Sequence, residues 1–128
     1  MAAAPQHIIR RLLSMAGITI SPSLLKEKLQ AHPDYPSLLA VTDTLDELGI
    51  DNAALQIDKE RINEVPTPFL AHDAAKGEFV VINNVQQQLS PGSELEKNWN
   101  GMAQLAEKPK GWHHTENEKR LAEEKKSV

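Results

Sequence analysis

The stretch "GEFVVINNV", Gly77 to Val85, decides the fold. Phe79, Val80, Val81 and Ile82 form an unbroken apolar run, the pattern of a strand buried on both faces. Strand character recurs on either side of it. Upstream, "NAALQI" reads as a strand and "DKERINE" as a short helical turn capped by Asp58. "PTPFLAH" reads as a short strand whose prolines suit a sheet edge or a strand start. Downstream, "SPGS" is a turn, "ELEKNW" a brief helical segment and "GMAQLAE" a last strand.

Before residue 50 the period is different. Ile8, Ile9, Leu12, Leu13 and Ala16 recur at helical spacing, and Gly17 suits the left-handed residue that ends a helix. A second helix starts with Ser21 as cap and Pro22 in the first position, and carries Leu24, Leu25 and Leu29. The stretch "HPDYPSLL", His32 to Leu39, joins it to a third helix, with Asp34 as N-cap and Pro36 as an early helical residue. Leu38, Val41, Thr42, Leu45 and Leu48 share a face of that helix, and Gly49 closes it. Three helices followed mainly by strands indicate an α+β domain, with N-terminal helices packed on a small antiparallel sheet. From residue 108 the chain turns polar and mixed in charge. The division expected is a domain over 1–107 and a polar linker or tail over 108–128, disordered or leading to a membrane segment.

The composition narrows the chemistry. A net charge of −4 and a pI near 5.7 argue against nucleic-acid binding. With no cysteine, disulfides, thiolate metal sites and a cysteine nucleophile are excluded. His113 and His114 are adjacent, without ligands at zinc-site spacing, so no metal and no cofactor are expected. Ser37 lies close to His32 and Asp34, but a catalytic triad is assembled in space, not along six residues, and the first turn of a helix explains the serine. Glu78 opens the most buried-looking strand, either as an exposed strand-edge acid or as a residue facing a cleft.

Five segments in order, "LLSMAGITIS", "DTLDELGIDNAALQID", "VPTPFLAH", "GEFVVINN" and "NWNGMAQLAEKP", resemble family 39 of the cysteine peptidases. These are papain-like, bacteriocin-processing domains at the N-terminus of exporters of double-glycine leader peptides. The resemblance spans about residues 4–109 and implies a papain-like fold. "HPDYPSLL" is closer still to a subset in Bacteroidetes-type bacteria. There the domain precedes a vitamin K epoxide reductase-like, disulfide-forming membrane oxidoreductase. The residues that would carry catalysis differ. The position matching the nucleophilic cysteine, thirteen residues before Gly17, is Ala4; the histidine position is Glu78; the aspartate position falls near Ser90.

The resemblance therefore implies a domain that has lost catalysis and binds a peptide or a partner domain of the same protein, with Gln6, His32, Tyr35, His72, Glu78 and Asn83 as the peptide-binding candidates. It places the domain, itself soluble and monomeric, on the cytoplasmic side of the bacterial inner membrane, touching the membrane only through a fused segment. Two other readings stay open: a hydrolase using Glu78 with His72, and a purely structural interaction domain.

Overall fold

The computed structural model describes residues 4–126; positions 1–3 and 127–128 of the expected domain and tail lie outside the described residues. Helices α1 (Pro5–Met15), α2 (Pro22–Gln30) and α3 (Leu38–Glu47) come first. Strand β1 (Asp51–Gln56), a 3-10 turn (Lys59–Glu64), β2 (Phe69–Asp73) and β3 (Glu78–Ile82) follow. Two short helices, α4 (Val85–Gln88) and α5 (Glu94–Asn98), lead to β4 (Met102–Glu107), and α6 (Thr115–Lys126) ends the chain. The architecture is α+β: helices with one antiparallel four-stranded sheet in the order β1-β4-β2-β3.

The helix boundaries follow from local chemistry. Gly17 and Gly49 hold φ of +83° and +73°, the left-handed geometry that ends α1 and α3 without a Cβ clash. The Ser21 hydroxyl accepts from Leu24 N–H at 3.2 Å and Pro22 occupies the first turn of α2. At α3 the cap is Ser37, which accepts from Ala40 N–H, and not Asp34. Helix geometry begins at Leu38, so Asp34 lies too far upstream to reach a free amide of the first turn. Asp58 precedes the 3-10 turn without a side-chain capping bond.

The β2–β3 part of the sheet is covered on both faces, which explains the unbroken apolar run of β3. On one face, Phe79, Val81 and Leu70 pack with Ile9, Leu12 and Leu13 of α1, Leu24, Leu25 and Leu29 of α2, and Val41 and Leu45 of α3. On the other, Phe69, Ala71, Ile82 and Ala103 pack with Val65, Leu89 and Trp99. Trp99 stacks on Phe69 with ring centroids 6.0 Å apart. β2 is interior, between β4 and β3, so of the two expected positions its prolines mark a strand start and not an edge. Pro66 and Pro68 precede the ladder and take no donor from it.

The stretch expected as a polar linker or tail, disordered or leading to a membrane segment, is ordered over its described part, with α6 from Thr115 to Lys126. Trp112 donates its indole N–H to Leu48 O at 3.0 Å, and α6 docks on the start of α2 with Asn117 buried. Its composition is polar as read, but polar side chains with fixed partners hold the helix in place.

Candidate functional site

"HPDYPSLL" is the joint between α2 and α3, and its polar groups hold that joint. His32 Nδ1 accepts from Asp34 N–H at 3.0 Å, which leaves the ring proton on Nε2; this nitrogen then donates to Asp43 Oδ2 of α3 at 2.7 Å. Tyr35 is half-buried against the helical core, and Ser37 caps α3. The side chains of His32 and Ser37 have structural partners, Tyr35 packs on the core, and Asp34 contributes only its backbone N–H.

Ala4, expected from the resemblance at the nucleophile's position, is the N-cap residue of α1, and Gln6 lies in the first turn. Ala16, just past the other end of α1, borders a cavity with Thr67 and Pro68 at the entrance to β2. α1 packs along β3, and the β2–β3 register runs from Phe69 opposite Ile82 to Asp73 opposite Glu78. The N-terminal end of α1 is therefore directed toward the Asp73–Glu78 end of the hairpin.

The two hairpin faces carry different groups. His72 lies opposite Phe79, with ring centroids 4.9 Å apart, on the face that packs against α1. Glu78 alternates with Phe79 and shares the face of Val80 and Ile82, away from α1. In the adjoining turn, Glu94, paired with Lys76 at 3.3 Å, holds that lysine above its ordinary range, with smaller contributions from the charges of Asp73 and Glu78. Asn83 is exposed, and its N–H donates to Gln88 Oε1 at 2.8 Å. Ser90 lies between α4 and α5 on a cavity shared with Val85, Pro91 and Glu96. No side-chain hydrogen bond or ion pair joins any two of Gln6, His32, Tyr35, His72, Glu78 and Asn83 among the described residues. His32 and Tyr35 sit at the α2–α3 joint, apart from the hairpin residues.

One residue of this corner escaped the sequence reading. Asp73 is buried and accepts from Ala75 N–H and Lys76 N–H, both at 3.1 Å. Burial alone would push its carboxyl up. The amide of Lys76, the side chain of Asn98 and the amide of Ala75, with the Lys76 charge, bring it below the ordinary carboxylate range. An aspartate just before a glycine-containing turn, "DAAKG", was the available signal. No group of three or more histidines and acids able to hold a metal is present among the described residues. No helix among them is long and apolar enough to cross a membrane.

No curated protein and no solved structure matches the chain. The model of the peptidase C39 family matches residues 8–111, a span that starts just after Ala4. It takes in α1 from residue 8 onward, α2, α3, the whole sheet and the turns between them, in the order described above. This chain belongs to the peptidase C39 family.

Proposed function

We propose that this chain is a non-catalytic member of its family that binds a peptide segment or a partner domain. One observation carries the proposal: the chain contains no cysteine, and the resemblance to the family would put Ala4 at the nucleophile's position. Without a nucleophile no acyl-enzyme forms. Loss of such a unit lowers the rate by about 10⁴–10⁶-fold. Glu78 does not replace the histidine. It is a carboxylate on the face away from α1, whereas the only imidazole on the α1 face of the hairpin, His72, is packed on Phe79.

The scaffold that would present a peptide remains. The N-terminal turn of α1 and the hairpin end offer Gln6 and His72, with Glu78 on the neighbouring face; Asn83, at the opposite end of β3, and His32 and Tyr35 are secondary contacts. An extended peptide would be held mainly by main-chain hydrogen bonds. The resemblance noted from the sequence favours service as the N-terminal module of a larger bacterial membrane protein, at the cytoplasmic face. The parent would be a vitamin K epoxide reductase-like oxidoreductase or a double-glycine leader peptide exporter.

The test is incubation of the chain with double-glycine leader peptides. Mass spectrometry should find no cleavage, while NMR should show shifts at Gln6, His72 and Glu78. Turnover abolished by Glu78→Gln would overturn the proposal in favour of a hydrolase. Neither cleavage nor shifts would leave a structural interaction domain.

A further inference from the structure

We propose a second binding surface: the open edge of β1, which takes up an extended, cationic peptide segment as a fifth strand. It lies apart from the α1–hairpin corner and does not depend on it.

The sheet has two outer strands, and they are finished differently. At β3, the Gln88 side chain returns from α4 and donates to Val81 O at 2.9 Å, while its Oε1 accepts from Asn83 and Asn84 N–H. β3 is also largely buried. β1 has no such cover. Its six residues pair one-to-one with Glu107 to Met102 of β4, without a bulge, and with no other strand among the described residues. Its other row of N–H and C=O groups is open. Edges of this kind are normally blocked by lysine, proline or a bulge, and "DNAALQ" contains none of these. Ala53 and Ala54 leave room for a neighbouring backbone, and Leu55 is 38 % exposed.

Two adjacent grooves lie alongside. Ala53 borders a cavity of about 380 Å³ with Pro66, Pro68 and Leu105. Leu55, two residues on and so on the same face, borders one of about 230 Å³ with Val65 and Pro66. Pro66 is common to both. The spacing suits a partner strand that places apolar side chains at alternate positions.

Charge selects the occupant. The grooves are bordered by Asp51, Glu107, Asp58 and Glu64, against Arg61 alone, and Arg61 is already paired with Glu64 at 2.7 Å. Asp51 and Glu107 stand directly opposite each other in the ladder, and neither makes an ion pair among the described residues. Like charges directly opposed across strands are unfavourable, and a lysine or arginine from a partner would relieve the pair. A second copy of the chain would instead set one acidic rim against another.

The test titrates ¹⁵N-labelled full chain with the peptide acetyl-KVTVTVK-amide, and in parallel with acetyl-EVTVTVE-amide. The basic peptide should shift amides of residues 51–56 and slow exchange at those that β4 leaves open. Affinity should fall by about tenfold in the double variant Asp51→Lys with Glu107→Lys, and fall again with salt. Both substituted residues are exposed, and a dispersed spectrum checks the fold. Equal binding of the acidic peptide, unchanged affinity in the double variant, or self-association through β1 would each overturn the inference. Leader-peptide shifts confined to Gln6, His72 and Glu78, with β1 silent to the basic peptide, would overturn it while leaving the proposed function standing. Loss of the corner shifts alone would do the reverse.

Discussion

Ser21 donates its backbone N–H to Oδ1 of Asn117, 96 residues further along the chain, at 2.6 Å. The Asn117 amide then donates to Thr19 O at 2.9 Å, so one buried side chain satisfies both a donor and an acceptor of the α1–α2 connection. α6 has little apolar surface to bury, and this contact with its polar neighbours holds it.

Replacing Asn117 should therefore undock α6. Asn117→Leu keeps the volume but leaves the buried Ser21 N–H and the Thr19 C=O without their partner, at a cost of about 1–3 kcal/mol. Hydrogen exchange should rise across residues 115–126 and at Ser21, while the amides of β2 and β3 stay protected. Uniform loss of protection would show that α6 is part of the core.

The docking should depend on pH. Glu124 accepts from the hydroxyls of Ser21 and Ser23, both at 2.6 Å, and these bonds hold its carboxyl below the ordinary glutamate range against the opposing effect of burial. A depressed carboxylate contributes stability above its free pKa and loses it as pH falls through the folded value. α6 protection should thus be constant near neutrality and decline below about pH 4, the ordinary glutamate range. Glu124→Gln should flatten this part of the profile. An unchanged acid profile in the variant would assign the effect elsewhere.

Gln104 sits fully buried in β4 at the centre of a polar chain. It accepts from the Thr42 hydroxyl at 2.7 Å and donates to Asn52 Oδ1 at 3.3 Å, and Asn52 donates to Asp46 at 2.7 Å. The chain ties α3 to β4 and β1. Gln104→Met preserves bulk and removes every bond, so denaturant unfolding should show a loss of about 1–3 kcal/mol. A neutral result would mean that the apolar replacement packs as well as the network holds.

The joint of α2 and α3 discriminates between two nearby polar residues. Ser37→Ala removes the cap of α3 and should cost about 1 kcal/mol. Asp34→Ala should stay within about 0.5 kcal/mol, since Asp34 lends His32 only its backbone N–H. Thermal unfolding of the two variants side by side decides the point, and the reverse order would restore Asp34 as the cap.

These residues mark how far the sequence could be read. Ser21 and Gly17 act through bonds and dihedral angles within a few residues, and their roles were legible. The burial of β3 on both faces was written in consecutive apolar residues. The absence of cysteine was also legible, because it is a fact of composition.

Other features depended on distant partners. The contacts of Asn117 and Gln104 span 96 and 62 residues, and a polar side chain carries no mark of whether its partner is water or a buried backbone group. The division of His72 and Glu78 between opposite faces required the register of β2 against β3. The exposure of β1 required the strand order, since "NAALQI" reads alike at the centre of a sheet and at its edge. Sequence alone determined α1 to α3, the strands and the absence of cysteine, because propensity, capping and chemical identity are local. Tertiary structure decided which polar groups are satisfied and which strand stays open, because both depend on what the fold brings alongside.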